Sequence, residues 1–138
     1  MNWNPSLLEE INKYRLTNGL KPLEVDSVLC DAANKRVEEI KTNWSHEGFS
    51  ASLCEKCNGL GENLARGFEK KENIVQAWIE SLSHKKVILT ESFTHGCTVY
   101  DQGYAVFEAG SIYHNAGIEG SVLAFLIIVM SMVKSIRI

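Results

Sequence analysis

The sequence predicts a single domain of class α+β, and three observations lead to that class. Two segments near the amino terminus carry apolar residues at helical spacing behind capping residues. A third segment near the middle of the chain repeats that spacing. A pair of β-branched and aromatic runs around residues 97–110 predicts a hairpin. The length of 138 residues suits one domain with a core and is too short for two ordinary ones.

The first two helices have clear starts. Asn4 can cap the first helix, with Pro5 at its first position, and Asn18-Gly19 is expected to end it. Asp26 can cap the second. Its apolar stripe, which predicts a buried face, consists of Val28, Leu29, Ala32, Ala33, Val37 and Ile40.

The second half of the chain predicts one more helix and the hairpin. Helical spacing resumes over Glu72 to Ser83. The runs CTVY and YAVFEAG flank Asp101-Gln102-Gly103, which predicts two strands joined by a tight turn. Before them, GLGENLARGF at 59–68 places Glu62 among glycines that favour a bend, and leaves open why a carboxylate stands there.

Charge excludes one class of partner, and both chain ends bear on localisation. The net charge of −3 and the isoelectric point near 5.8 provide no basic face, so we expect no nucleic-acid partner. The opening MNWNPSLLEEINKYR predicts a helix and contains no visible signal peptide.

The carboxy-terminal run, residues 121–133, is uncharged and almost wholly apolar. It is shorter than the roughly 20 residues of a square membrane span, but Gly120 and snorkelling of Lys134 and Arg137 extend it to about 19. We therefore expect a domain over 1–112, a linker over 113–120 and an apolar helix over 121–138 that anchors the chain to a lipid membrane as a single pass. The side of the membrane stays open. The alternative is a helix buried in a homo-oligomer or a larger assembly.

Four short motifs occur in an order that carries a family resemblance. They are WSH at 44–46, GEN at 61–63, WIESLSHKKVIL at 78–89 and FTH at 93–95. In this order and at these separations the chain resembles the CAP superfamily, the cysteine-rich secretory, antigen 5 and pathogenesis-related group, in its compact bacterial form, the SCP domain. The resemblance runs from about Leu7 to Ala109. It implies an α-β-α sandwich with helices on both faces of a small sheet.

The resemblance also implies a cleft shared by His46, Glu62 and His84. Neutral imidazoles can ligate a divalent ion such as zinc, and a nearby carboxylate can orient a ligand or act as a base. Because two histidines leave coordination positions open, we expect His46 and His84 to hold such an ion weakly. Ser81 matches a position at which animal members carry a second glutamate, and His95 matches a variable one. Both are expected to line the cleft.

The four cysteines leave several arrangements open. Cys54 and Cys57 form a CxxC, with Cys30 and Cys97 far away in the sequence. Separate thiols, a disulfide in an oxidising compartment, or a second metal site of Cys54, Cys57, Cys97 and His95 all agree with the sequence.

The family resemblance does not fix one activity, since a fold does not determine function. We expect a non-catalytic binding module at a membrane or envelope, with a cleft for a divalent metal, lipid, glycan or peptide. The alternative is a metal-dependent hydrolase in which His46, Glu62 and His84 are catalytic. A second alternative is a structural component of an envelope or virus particle held by the carboxy-terminal helix.

Overall fold

A computed structural model describes residues 2–113, which form four helices and a four-stranded sheet. The helices are α1 (Pro5–Thr17), α2 (Ser27–Thr42), α3 (Ile74–Glu80) and α4 (Leu82–Ile88), and the strands are β1 (Glu24–Val25), β2 (Leu60–Ala65), β3 (His95–Asp101) and β4 (Tyr104–Gly110). Two short 3₁₀ helices span Ala51–Cys54 and Lys71–Asn73.

The sheet has the order β1-β3-β4-β2, so β1 and β2 are its edges. β1 pairs with β3 in parallel, whereas the β3–β4 and β4–β2 pairs are antiparallel. The β3–β4 hairpin is the one predicted from the sequence, and its turn contains Gln102 and Gly103, both at positive φ. The hairpin thus supplies the two central strands.

Helices cover both faces of the sheet. On one face, Ala33, Val37 and Ile40 of α2 pack with Leu64 and Val99. On the other face, α1, α3 and α4 contribute to a larger cluster built around Phe107, Trp78 and Ile11. The expected α+β class is confirmed. β2 therefore runs along an edge that has α2 on one side and α4 on the other.

The first two helices begin where the sequence predicts, although the Asn4 side chain makes no capping hydrogen bond, and the third helix differs from the prediction. The Asp26 side chain accepts hydrogen bonds from the N–H groups of Val28 and Leu29, as an N-cap should. The helix expected over Glu72 to Ser83 is divided at Ser81, whose backbone is extended (φ −99°, ψ 121°). Ser81 ends α3 and precedes α4, so the prediction of a single continuous helix was wrong.

The segment around Glu62 is a strand, not a bend. Gly61 lies in the middle of β2, where a Cβ atom would come within 2.8 Å of Phe93 and 2.9 Å of Val87. The glycine is therefore required for close packing of the strand under α4, and it gave a misleading turn signal in the sequence.

All four cysteines form disulfides, Cys30 with Cys97 and Cys54 with Cys57. The Cys30–Cys97 bond joins α2 to β3. Because each sulfur is bonded to another sulfur, no thiolate is available for zinc, and the second metal site proposed from the sequence was wrong. The disulfide alternative for Cys54 and Cys57 is the one that the structure contains.

The expected linker after residue 112 and the apolar helix over 121–138 lie almost wholly outside the described residues. Between residues 2 and 113, no helix has the length and apolar character needed to cross a membrane.

Candidate functional site

Glu62 is held on the α2 face of the sheet by a bidentate ion pair with Arg36. Arg36 Nε donates to Oε2 at 2.8 Å, and Nη2 donates to Oε1 at 3.0 Å. Both side chains are only 1% exposed. Arg36 Nη2 also donates to the Ser45 carbonyl at 2.7 Å, which fixes the loop after α2. One guanidinium thus positions both the carboxylate and the loop that carries His46.

His46 meets the same carboxylate from the solvent side. Its Nδ1 lies 2.9 Å from Glu62 Oε1, and its side chain is 59% exposed. Since an ionised carboxylate only accepts hydrogen bonds, Nδ1 carries the proton that is donated to Glu62. In the neutral ring, Nε2 is then left as an acceptor or metal ligand.

His84 lies on the opposite side of β2. It belongs to the first turn of α4, and its carbonyl accepts a hydrogen bond from Asn63 Nδ2 at 2.9 Å. Its Nδ1 lies 2.7 Å from Ser81 Oγ. Burial lowers the pKa of His84, and the nearby charge of His46 lowers it further. The two imidazoles therefore flank one strand closely enough to influence each other.

Glu108 is a second buried carboxyl beside Glu62. It lies directly opposite Glu62 on β2 and Cys97 on β3, and it is fully buried. Burial, together with the neighbouring Glu62, raises the pKa of Glu108 well above its ordinary value. Its oxygens meet no partner at full hydrogen-bond geometry among the described residues, although the carboxyl is near enough to Glu62 to interact. Glu108 therefore retains a proton to higher pH than an ordinary glutamate does.

The pKa of Glu62 is shifted in the opposite direction, so this carboxyl is ionised. Burial alone would raise the pKa of Glu62, but interactions with Glu108, Arg36 and His46 together lower it. A single guanidinium can neutralise only one of the two carboxylates, which explains why their pKa values move apart.

The capacity of this site for a metal is limited. Among residues 2–113, no three His, Cys, Asp or Glu side chains are grouped closely enough to hold an ion. Arg36 occupies both oxygens of Glu62, so the remaining ligands near the edge are Nε2 of His46 and Nε2 of His84. A structural zinc site normally needs four protein ligands. Two imidazole nitrogens fall short of that number.

His95 does not join the other candidates. It lies on β3, with β4 between it and β2, and its Nε2 is 3.4 Å from Glu24 Oε2 on the exposed edge strand β1. Its Nδ1 lies 2.7 Å from Thr94 Oγ1. His95 lines a separate groove, with a volume of about 920 Å³, together with Pro22 and Ser111. By contrast, Ser81 contacts His84 directly.

Sequence reasoning missed Arg36 and Glu108. Arg36 follows Ala32 by four residues and Ala33 by three, so it stands within the apolar stripe of α2, where an unpaired cation would be costly. Glu108 is the one charged residue of an otherwise apolar strand. Each is a charged residue within an apolar sequence pattern, and such a residue indicates a buried partner of opposite charge or a hydrogen-bond partner.

Comparison with known proteins identifies the family. The model of the cysteine-rich secretory protein family, CAP, matches residues 8–113, and the chain belongs to this family. The Bacillus subtilis protein YkwD is 30% identical over 121 residues, which cover 80% of this chain and 45% of that protein. The chain thus spans less than half the length of this relative.

Two solved structures share the fold. An extracellular protein with an SCP domain from Bacillus anthracis has a TM-score of 0.72 at 21% identity, over 80% of this chain and 40% of that one. An outer surface protein of Borrelia burgdorferi has a TM-score of 0.68 at 23% identity, over 79% of this chain and 92% of that one. The expected CAP fold is confirmed.

Proposed function

We propose that this domain is a non-catalytic binding module whose ligand contacts the edge of β2 between His46 and His84. One observation carries the proposal: each imidazole is fixed through Nδ1, to Glu62 or to Ser81, which leaves its Nε2 available beside the same strand. Preorganised polar groups on two sides of a strand favour ligand capture because little ordering is needed on binding.

The ion pair with Arg36 disfavours the hydrolase alternative. A general base must accept a proton, and Glu62 has a lowered pKa and both oxygens engaged by a guanidinium. Proton uptake by Glu62 would break a buried ion pair and leave the Arg36 charge uncompensated. Glu62 is therefore better suited to positioning His46 than to activating water.

A divalent cation such as zinc enters the proposal as a weakly held component. If bound, it would be ligated by Nε2 of His46 and His84 and would offer its open positions to acceptor groups of the ligand. Isothermal titration of the full-length chain with zinc chloride tests this. His46→Ala and His84→Ala should each abolish the heat, whereas His95→Gln, which removes a distant imidazole, should not. Equal binding by all variants would contradict the metal component.

The names of the relatives support a location outside the cytoplasm. One structural relative is described as extracellular and another as an outer surface protein, and both disulfides of this chain suit an oxidising compartment. We propose that the apolar run at 121–133 holds the domain at a membrane. Membrane fractionation tests this, because deleting 121–138 should release the domain into the soluble fraction. A detergent-free oligomer that dissociates on the same deletion would favour assembly instead.

A further inference from the structure

The outer edge of β2 carries backbone groups that point away from the sheet. Trp78 Nε1 donates to the Leu64 carbonyl at 3.0 Å from outside the sheet, so Leu64 faces outward, away from β4. The Gly59 carbonyl faces inward and accepts from Ser111 N–H at 3.2 Å. Since the direction of these groups alternates along a strand, Leu60 and Glu62 present their N–H and C=O groups outward like Leu64.

The outward groups of Glu62 have no hydrogen-bond partner among residues 2–113, and the main chain of this residue keeps a small exposed area. The residue as a whole is 6% exposed, whereas its side chain is only 1% exposed, so the accessible area belongs largely to the main chain. No loop or side chain among residues 2–113 donates to or accepts from these groups. An edge of this kind is a template for an added strand.

The surroundings of the edge limit what can reach it. Trp44-Ser45-His46 flanks one side, and Leu82-Ser83-His84 flanks the other, so each flank has an apolar residue two positions before its histidine. Trp44 is 39% exposed and lies under Arg66, with 4.5 Å from the guanidinium carbon to the ring centroid. Leu82 is 66% exposed. The side chains on both flanks are therefore more exposed than Glu62 between them.

These features select among the possible occupants. A strand inside a second folded copy would bring its own flanking helix and loop against the exposed Trp44 and Leu82, which disfavours its approach to Glu62. An acyl chain would leave the N–H and C=O groups of Glu62 unsatisfied. A free extended polypeptide matches the repeat of the outward groups, and its side chains would alternate between the His46 flank and the His84 flank.

We infer that the β2 edge binds an extended peptide segment as a fifth strand of the sheet. This inference rests on the proposed function, since it assigns a ligand class to the same cleft. The pairing is short, because Trp78 already occupies the Leu64 carbonyl and leaves mainly the groups of Leu60 and Glu62. The bound peptide lies between the two imidazoles, with alternate side chains beside Trp44 and Leu82.

The test uses a displayed library of random dodecapeptides and the full-length chain. Enriched sequences are made as synthetic peptides, and each backbone nitrogen is methylated in turn. Strand addition predicts that methylation at alternate positions weakens binding about tenfold or more, whereas the positions between are tolerated. The Glu62 amide should also shift in ¹H–¹⁵N spectra and gain protection from hydrogen exchange.

A matched pair of variants tests the protein side. Leu60→Pro removes one outward N–H at the first position of the strand, where proline is tolerated, and should weaken binding about fivefold to tenfold. Leu60→Ala shortens the same side chain and keeps the N–H group, so it should bind within about twofold of wild type. Amide spectra check that both variants fold.

Several outcomes would overturn the inference. They are no enrichment over a control protein, equal tolerance of methylation at every position, and equal effects of the two Leu60 variants. Binding of a soluble oligosaccharide at Glu62 in place of peptides would assign the edge to a glycan. A dimer lost in Leu60→Pro would assign it to a second copy.

The proposed function fails separately. If peptides pair with β2 while the imidazole signals of His46 and His84 stay unchanged, the edge binds ligand without the histidine cleft. If zinc perturbs both imidazoles but no peptide binds, the cleft stands and the strand-addition mode is wrong.

Discussion

Two histidine–glutamate pairs include a residue of this sheet, and the buried member is the carboxylate in one pair and the imidazole in the other. In the His46–Glu62 pair the carboxylate is buried and the imidazole is 59% exposed, at a distance of 2.9 Å. In the His95–Glu24 pair the imidazole is 10% exposed and the carboxylate is 79% exposed, at 3.4 Å. Only Glu62 has a buried arginine behind it. The comparison shows that the environment of a pair, rather than its residue types, decides which member is held in place and which is offered to solvent.

The largest effect is expected from removing the arginine. Arg36→Ala leaves the Glu62 charge buried without its partner and should lower the free energy of unfolding by about 3 to 5 kcal/mol. Glu24→Ala removes the exposed carboxylate of the other pair and should change it by less than about 0.5 kcal/mol. Urea denaturation of both variants measures the contrast. Equal losses of unfolding free energy would contradict the claim that only the buried carboxylate depends on a charged partner.

A smaller effect on stability is expected from Glu108, the buried carboxyl next to Glu62. Because the pKa of Glu108 is raised on folding, the folded state binds its proton more tightly than the unfolded state does. Its contribution to stability is complete below the ordinary glutamate pKa and is lost as the pH rises toward the folded value. Glu108→Gln, which is neutral at every pH, should be more stable than wild type at neutral and alkaline pH. Melting temperatures from pH 4 to 9 test this, and parallel curves would contradict it.

Removing the buried histidine, His95, should cost more stability than removing the exposed one, His46. His95→Ala removes a nearly buried ring bonded to Thr94 and should cost about 1 to 2 kcal/mol. His46→Ala removes an exposed ring and leaves Glu62 its two bonds from Arg36, so it should cost less than about 0.5 kcal/mol. Chemical denaturation at pH 7 distinguishes them. A larger loss for His46→Ala would reverse the comparison.

The smallest effect concerns the charge on His46. Since that charge contributes to the lowered pKa of His84, His46→Ala should raise the pKa of His84 toward its ordinary value. A lowered folded pKa also means that His84 contributes stability above its ordinary pKa, which is lost as the pH falls through the folded value. Imidazole NMR titrations of His84 in both proteins measure the change. An unchanged His84 titration would show that the two rings do not interact.

The parts of the fold that sequence reasoning reached are those with local signals. Asp26 caps its helix because a short side chain at that position can reach the next N–H groups, and such a cap is visible in the sequence. β2 was missed because a glycine such as Gly61 usually indicates a turn. In the structure, a glycine is needed at this position because the strand packs tightly against Phe93 and Val87. That contact joins segments about thirty residues apart and has no local signature.

The candidate site was reached in part, for a similar reason. Family motifs supplied His46, Glu62 and His84, and Ser81 does lie against His84. The partners that set the charge of Glu62 come from α2 and β4, which meet only in the folded chain. A motif can name the residue offered to a ligand, but the ion pair behind that residue depends on tertiary contacts.

The Cys30–Cys97 bond affects what happens to the domain after proteolytic cleavage. It encloses the segment 66–71, which leads from β2 toward α3 and is exposed at Arg66, Gly67, Glu69 and Lys70. Exposed loops with polar residues are preferred sites of cleavage. A cut there would leave two chains that stay covalently joined, with Arg36 and Glu62 both on the amino-terminal fragment. The nicked molecule would keep the ion pair that positions His46.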